Sequence, residues 1–117
     1  MTIDIIIHRI YDEKQPKGHR VLVDRLWPRG ISKEDADLDD HWKDIAPSDE
    51  LRKWFNHDSE KWAGFRAKYL KELSKHKEGI KERLQELDKD TLVLLYAAKD
   101  NEYNNAVLLK EYINGLG

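Results

Sequence analysis

One apolar run, residues 91–97, constrains the fold more than any other feature of the sequence. It contains only threonine, leucine, valine, tyrosine and alanine, and charged residues lie on both sides of it. A strand that is apolar on both faces is typical of a parallel sheet whose two faces are covered by other layers. The run therefore predicts an α/β domain with a buried strand.

Two earlier segments also have the pattern of strands. Residues 3–10 are rich in isoleucine, with Ile3, Ile5 and Ile7 on one face, and residues 21–23 form a second short apolar run directly after Arg20. The first strand is expected at or near the centre of the sheet. Only about nine residues separate the two strands, too few for a helical crossover, so we expect antiparallel neighbours; the alternative is an unusual arch.

The remaining apolar residues recur mainly at helical spacing. Ser48 is a candidate N-cap, residues 62–73 have a clear apolar stripe, Gly79 is a candidate break, and residues 104–116 form a final helix. Residues 41–45 alternate weakly and are interpreted as a short edge strand. The sequence therefore predicts a single domain over residues 1–117. It is a small three-layer α/β domain with a largely parallel sheet of three or four strands, an antiparallel or edge addition, and helices on both faces.

Composition excludes several classes of function. The chain has no cysteine, which rules out disulfides and thiolate chemistry, and its five histidines lack metal-ligand spacing, so no metal and no cofactor are expected. The formal net charge of −2 gives no global basic field. Because the sequence shows neither a membrane-length apolar run nor a signal-peptide pattern, we expect a cytoplasmic protein.

The best candidate site follows the second strand, in the sequence Asp-Arg-Leu-Trp-Pro-Arg-Gly at residues 24–30. Pro28 and Gly30 favour a stiff turn that would hold Arg29 in place. The guanidinium group suits phosphate or carboxylate, because its fork donates two parallel hydrogen bonds. The alternative is structural: Arg25 pairs with Asp24 or Asp37, and Trp27 packs in the core.

A second loop follows the last strand and contains Lys99, Asn104 and Asn105. If the two strands are parallel neighbours, both loops open at the same edge of the sheet. Arg25, Arg29 and the N-terminus of the last helix would then form an anion pocket, for phosphate or a nucleotide. Asp24 would orient an arginine or act as a base. The alternative is that Lys99 is solvated and the asparagines only cap the helix.

Two other functions remain open at this point. The same arginines, with Trp27 as a stacking surface, would suit a nucleic-acid-associated binding module. The acidic segment at residues 34–50, with eight acids and one lysine, would suit a protein-interaction domain with a basic partner. The sequence alone identifies no reaction and no oligomeric state.

The motifs closely resemble those of the YeaO-like branch of the domain-of-unknown-function 488 family. The resemblance covers nearly the whole chain and includes the 24–30 motif and segments at residues 47–52, 65–70, 91–100 and 104–108. It implies a small bacterial or archaeal cytoplasmic α/β protein. It also places six residues in the family signature: Asp24, Arg25, Trp27, Pro28, Arg29 and Gly30.

Other branches of that family tend to carry Cys and Glu after the last strand and Cys-His-Arg at the start of the next helix. The corresponding positions here are Tyr96, Lys99 and residues 104–106, with the sequence Asn-Asn-Ala. Any activity that depends on those cysteines is therefore not carried over to this chain.

Overall fold

A computed structural model describes residues 3–116 and contains a four-stranded sheet. The strands are β1 (Asp4–Arg9), β2 (His19–Leu22), β3 (Asp40–His41) and β4 (Thr91–Tyr96), and their spatial order is β1-β4-β2-β3. Every pair of neighbouring strands is parallel. The predicted small α/β domain with a parallel sheet is confirmed.

The apolar run at residues 91–97 supplies β4, which lies between β1 and β2. In the register of the sheet, Asp4 is opposite Thr91 in one pair and His19 is opposite Leu92 in the other. An interior strand is covered on both faces, and residues 92–96 are all buried. The position of β4 therefore explains why this strand lacks polar alternation.

The predicted antiparallel pairing of the first two strands is wrong. β1 and β2 are parallel and β4 separates them, so β1 lies at an edge of the sheet and not near its centre. The chain returns through an arch at residues 10–18. An extended chain of nine residues spans about 30 Å, enough to return along a four-residue strand without a helix.

The arch approaches β4 closely at Gly18. This residue has φ +149°, and a Cβ added to it would lie only 2.7 Å from the carbonyl oxygen of Thr91. Glycine is therefore needed where the chain passes the start of β4.

The predicted strand at residues 41–45 is shorter in the structure. Only Asp40–His41 pairs with β2, at the edge of the sheet, and Lys43–Ile45 forms a single 3₁₀ turn. The turn buries Ile45, which explains why the local alternation of the sequence resembles that of a strand.

In the described part of the chain, five α-helices surround the sheet: α1 (Lys33–Ala36), α2 (Asp49–Phe55), α3 (Trp62–Ser74), α4 (Lys77–Gln85) and α5 (Asn105–Leu116). They cover its two faces unequally. The larger core joins one face of the sheet to side chains of α2 through α5, including Phe65, Tyr69 and Leu109. The opposite face is covered by a smaller cluster that includes Ile10 and Ala36.

Local signals in the sequence set several helix ends. The Ser48 hydroxyl accepts a hydrogen bond from Leu51 N–H at 3.2 Å and so caps α2 as predicted. Asn56, directly after the last residue of α2, has φ +47° and caps its C-terminal end. The break between α3 and α4 lies before Lys77, two residues earlier than Gly79. Within residues 3–116, no helix is long and apolar enough to cross a membrane.

A buried arginine stabilises the face of the sheet that the smaller cluster covers, which we call the thinner face. Arg20 is 8% exposed, and its guanidinium donates to the carbonyl oxygens of Pro16, Ala36 and Asp37 and to Oε1 of Gln15, at 2.9–3.1 Å. These four acceptors belong to the arch and to the end of α1. Arg20 therefore holds both segments against β2.

Candidate functional site

A cleft of about 390 Å³ opens where β2 and β4 end. Because these strands are parallel neighbours, the loops that follow them meet at one edge of the sheet. The cleft is lined by residues 24–29 from the first loop and by Ala97, Ala98 and residues 103–105 from the second. Further lining residues come from outside these loops: Tyr11, Pro47, Arg52, Phe55, His57 and Phe65.

Asp24 is held at the back of the two loops by backbone and amide groups. Its Oδ2 accepts a 2.8 Å hydrogen bond from the N–H of Ala97, and its own carbonyl oxygen lies 2.7 Å from Nε2 of His41. Burial of the carboxyl raises the pKa of Asp24 above its ordinary value, although hydrogen bonds from Ala97 and Asn105 oppose this effect. Asp24 is thus a partly buried carboxyl that lines the cleft.

Arg25 lines the cleft and also forms hydrogen bonds that stabilise the fold. Its Nε donates to the carbonyl oxygen of Pro47 at 3.1 Å, and a second nitrogen lies 3.4 Å from the oxygen of Ala46. Nε also lies 3.9 Å from the carboxylate of Asp49. Within residues 3–116 Arg25 makes no ion pair with Asp24 or with Asp37, so the structural pairings considered from the sequence are wrong in their partners.

Arg52 joins the same charged group from α2. Its guanidinium lies 3.2 Å from Oδ1 of Asp49, the same oxygen that faces Arg25. Asp49 therefore keeps two guanidinium groups close together at the cleft.

Arg29 is the least engaged of the cleft arginines. Its side chain is exposed and its guanidinium has no hydrogen bond or ion pair with any other residue in the described range 3–116. The backbone is fixed instead: the hydroxyl of Tyr11 donates to the carbonyl oxygen of Arg29 at 2.9 Å. The backbone of the loop is therefore fixed, and the guanidinium of Arg29 remains available to a ligand.

Trp27 lies at the rim and is 39% exposed. Its indole N–H donates to the carbonyl oxygen of Ile31 at 2.7 Å, and its ring meets that of His41 edge-on. Trp27 is therefore oriented by the loop, and the interpretation of Trp27 as core packing is wrong.

The second loop contributes its asparagines but not its lysine. Asn104 is buried and caps α5, accepting from Val107 N–H at 3.1 Å, and Asn105 donates to the carbonyl oxygen of Val23 at 2.8 Å. Lys99 is exposed and is not among the residues that line the cleft. The capping alternative holds for Asn104, and Asn105 joins the two loops.

Four polar residues of the cleft were not assigned to it from the sequence: Tyr11, Arg52, His57 and Tyr103. Each comes from a segment whose approach depends on tertiary packing. His57 stands out only in the structure, where it and the preceding Asn56 both have left-handed backbone conformations (φ +55° and +47°). No sequence pattern predicts this conformation. Within residues 3–116, no three histidine, aspartate or glutamate side chains converge as a metal site.

Comparison with known proteins agrees with the resemblance drawn from the motifs. A family model described as the inactive DUF488-N3 subclade matches residues 4–116. The chain is similar to YeaO of Escherichia coli (strain K12), with 44% identity over 115 residues, which cover 97% of this chain and 100% of YeaO.

Mycobacterial proteins are similar over almost the same length. Rv3073c of Mycobacterium tuberculosis (strain ATCC 25618 / H37Rv) and Mb3100c of Mycobacterium bovis (strain ATCC BAA-935 / AF2122/97) are each 36% identical over 111 residues, which cover 93% of this chain and 92% of theirs. No solved structure gives a significant match. The family match spans nearly the whole chain, and the chain belongs to the DUF488-N3i family.

Proposed function

We propose that the cleft binds an anionic small molecule that carries phosphate or carboxylate beside a planar or apolar group, as a nucleotide does. One observation carries the proposal. The guanidinium of Arg29 has no partner within residues 3–116, yet its loop is held in place and it lines the same cleft as Arg25 and Arg52. An exposed cation on a fixed backbone is suited to an external anion.

The charge balance of the cleft supports an anionic ligand. Arg25, Arg29 and Arg52 contribute three positive charges, while Asp49 neutralises part of the charge of two of them. Asp24 adds a carboxyl whose burial favours its neutral form relative to an exposed aspartate. The first turn of α5, a 12-residue helix, also begins at this cleft and contributes the positive end of its dipole.

The wall of the cleft supports a ligand with a planar part. Trp27 and Tyr103 are about two-fifths exposed, and Phe55 and Phe65 line the cleft more deeply. Aromatic faces stack on heterocyclic rings, which would place a base or similar group against this wall and the anion against the arginines.

Binding without chemistry is favoured over catalysis. The matching family model is described as inactive, and the chain has no cysteine at the positions where other branches carry one. Asp24 is engaged by the N–H of Ala97 and lies beside Asn105, so its role in the proposal is to accept a hydrogen bond from the ligand.

A thermal-shift screen followed by calorimetry tests the proposal. The purified protein is tested with inorganic phosphate, sulfate, nucleoside mono-, di- and triphosphates, sugar phosphates and dicarboxylates. A ligand at about one hundred times its dissociation constant stabilises the folded state by about 2.7 kcal/mol, a shift of several degrees for this size of domain. The proposal expects such a shift with one anionic class.

The matched variants are Arg29→Ala and Arg66→Ala. Arg66 is a half-exposed arginine paired with Glu111 on the helical side and does not line the cleft. The shift should disappear in Arg29→Ala and remain in Arg66→Ala. A ligand response that both variants retain, or no response to any anion, would overturn the proposal.

A single-stranded nucleic acid is the second candidate, because Trp27 and Tyr11 expose aromatic surface beside Arg29. It predicts binding of short oligonucleotides that weakens steeply with salt, whereas mononucleotides would bind poorly.

The interaction-domain alternative has less support, since the acidic segment is partly neutralised within the fold. Asp39 accepts from the N–H of Arg20 and pairs with Lys89, and Asp44 pairs with Arg83. A pull-down unchanged by neutralising these acids would count further against it.

A further inference from the structure

The outer edge of β1 presents backbone groups that have no partner in residues 3–116. The N–H of Asp4 donates to Asp90 and the N–H of Ile10 donates to Tyr96, so the even-numbered residues of this segment face β4. Because the pattern alternates along a strand, the N–H and C=O groups of the odd-numbered residues Ile5 and Ile7 point away from the sheet. Within the described chain, no other strand pairs with this edge.

The three central side chains at this edge are apolar, and charged side chains lie only at its two ends. Ile6 is 37% exposed on the thinner face of the sheet, and Ile5 and Ile7 are only partly buried on the other. Natural edge strands are commonly blocked by charged side chains (especially lysine), by proline or by a bulge. In β1 no charged residue lies between Asp4 and Arg9, no proline is present, and the register with β4 is continuous. Such an edge is a template for another strand.

We propose that β1 pairs with β1 of a second copy of this chain, antiparallel and about a two-fold axis at Ile6. In that register Ile6 meets Ile6, and Ile5 lies opposite Ile7 of the second copy. Both members of the Ile5–Ile7 pair have outward N–H and C=O groups, so each pair forms two reciprocal hydrogen bonds. The result is a continuous eight-stranded sheet.

The order of side chains along the strand favours a second copy over an unrelated partner. In this register Asp4 of one copy lies opposite His8 of the other, on the same face as Ile6. Asp4 therefore lies opposite a histidine and not opposite a second carboxylate on each side of the two-fold axis, with apolar pairs between them. His8 is partly buried, and its Nε2 is enclosed within its own protomer. The strand is complementary to itself only when the two copies are antiparallel.

The arrangement leaves the ligand cleft open. The cleft lies at the carboxyl ends of β2 and β4, and β4 separates β1 from β2. An antiparallel dimer would place the two clefts at opposite edges of the joined sheet. The dimer proposal therefore stands independently of whether the cleft binds an anion.

Sedimentation velocity over a range of protein concentrations tests the association. The native protein should approach the mass of a dimer in the high micromolar range. Ile6→Lys should be a folded monomer, because Ile6 is already more than one-third exposed and two lysines would face each other at the axis. Ile6→Val, which keeps an apolar β-branched side chain, should remain a dimer. A native protein that stays monomeric, or an Ile6→Lys variant that still dimerises, overturns the proposal.

Cross-linking tests the register. Because the chain has no native cysteine, any disulfide must form through the introduced one. A directly opposed non-hydrogen-bonded pair has a Cα separation of about 4.5 Å, within the range of about 4.4–6.8 Å that a disulfide spans. Ile6→Cys should therefore form a disulfide dimer rapidly under mild oxidation. Leu26→Cys, at a more exposed position (58%), should cross-link only through slow collision. Equal rates for the two variants would rule out the proposed pairing, including the case in which another surface mediates a dimer.

Discussion

A 2.8 Å hydrogen bond from the N–H of Ala97 to Oδ2 of Asp24 joins the ends of β2 and β4. It fastens the loop that carries the cleft arginines to the central strand of the sheet. The bond also keeps a carboxyl in a partly buried position, where its charge is unfavourable.

Asp24→Asn should remove part of the pH dependence of stability. Burial raises the pKa of Asp24 above its ordinary value of 3.8, so the folded state binds more protons than the unfolded state between 3.8 and the raised value. The contribution of Asp24 to the free energy of unfolding is therefore fully present at low pH and declines as pH rises through the raised pKa. Relative to the native protein, Asp24→Asn should gain stability across that interval.

Urea denaturation of both proteins at several pH values measures this difference. Asp39→Asn provides a control of opposite sign, since a hydrogen bond from the N–H of Arg20, with Lys89 nearby, lowers the pKa of Asp39. The stabilisation from Asp39 is present above 3.8 and is lost as pH falls through the lowered value. A stability difference for Asp24→Asn that is constant with pH would contradict the assigned environment of this carboxyl.

Arg25 and Arg29 should differ in their effects on stability. Arg25→Ala removes hydrogen bonds to the carbonyl oxygens of Pro47 and Ala46 and should lower the free energy of unfolding by about 1–2 kcal/mol. Arg29→Ala removes an exposed group without a protein partner in residues 3–116 and should change it by less than about 0.5 kcal/mol. Chemical denaturation at neutral pH gives both values. Equal losses would mean that Arg29 also serves the fold.

Arg20 should be essential for stability and irrelevant to the cleft. Arg20→Met leaves up to four buried or half-buried acceptors without their donor and should cost about 3 kcal/mol. Arg66→Met, at an exposed ion pair, should cost no more than about 1 kcal/mol. Denaturation curves test the difference, and a loss below that of Arg66→Met would show that the Arg20 network is dispensable.

Alanine substitutions at two glycines with positive φ compare the cost of a steric clash with the cost of backbone strain alone. At Gly18 an added Cβ meets the Thr91 carbonyl oxygen at 2.7 Å, and Gly18→Ala should cost about 2–3 kcal/mol. At Gly30, with φ +75°, no atom of residues 3–116 lies within 4 Å of the added Cβ, and Gly30→Ala should cost about 1 kcal/mol. Thermal unfolding of both variants checks the order. If Gly30→Ala were the more damaging, the close passage of the arch under β4 would be in doubt.

The sequence predicts individual elements better than their arrangement. Local patterns in the sequence predict the apolar run of β4 directly. They also predict the helical stripe of Phe65, Tyr69 and Leu73 on α3. The relation of β1 to β2 depends on a nine-residue connection that allows either an antiparallel pair or an arch. Loop length alone does not decide between them, and the correct choice follows from β4, far along the chain.

The candidate site shows the same difference between what local sequence predicts and what tertiary packing decides. Asp24, Arg25 and Arg29 lie in the cleft because the end of a parallel strand is predictable from the strand itself. Lys99 also follows a strand but does not line the cleft, because no local pattern sets the direction of an exposed loop side chain. Arg52 reaches the cleft through the packing of α2, which its own helical pattern does not specify.

The central position of β4 also determines when this protein can fold during synthesis. Asp4 pairs with Thr91, so during synthesis β1 has no neighbouring strand until β4 has been made. During that interval an isoleucine-rich segment remains accessible to other nascent chains and to chaperones. The order of the strands therefore makes completion of the sheet depend on contacts between residues far apart in the sequence, which slows folding and prolongs the exposure of the β1 segment.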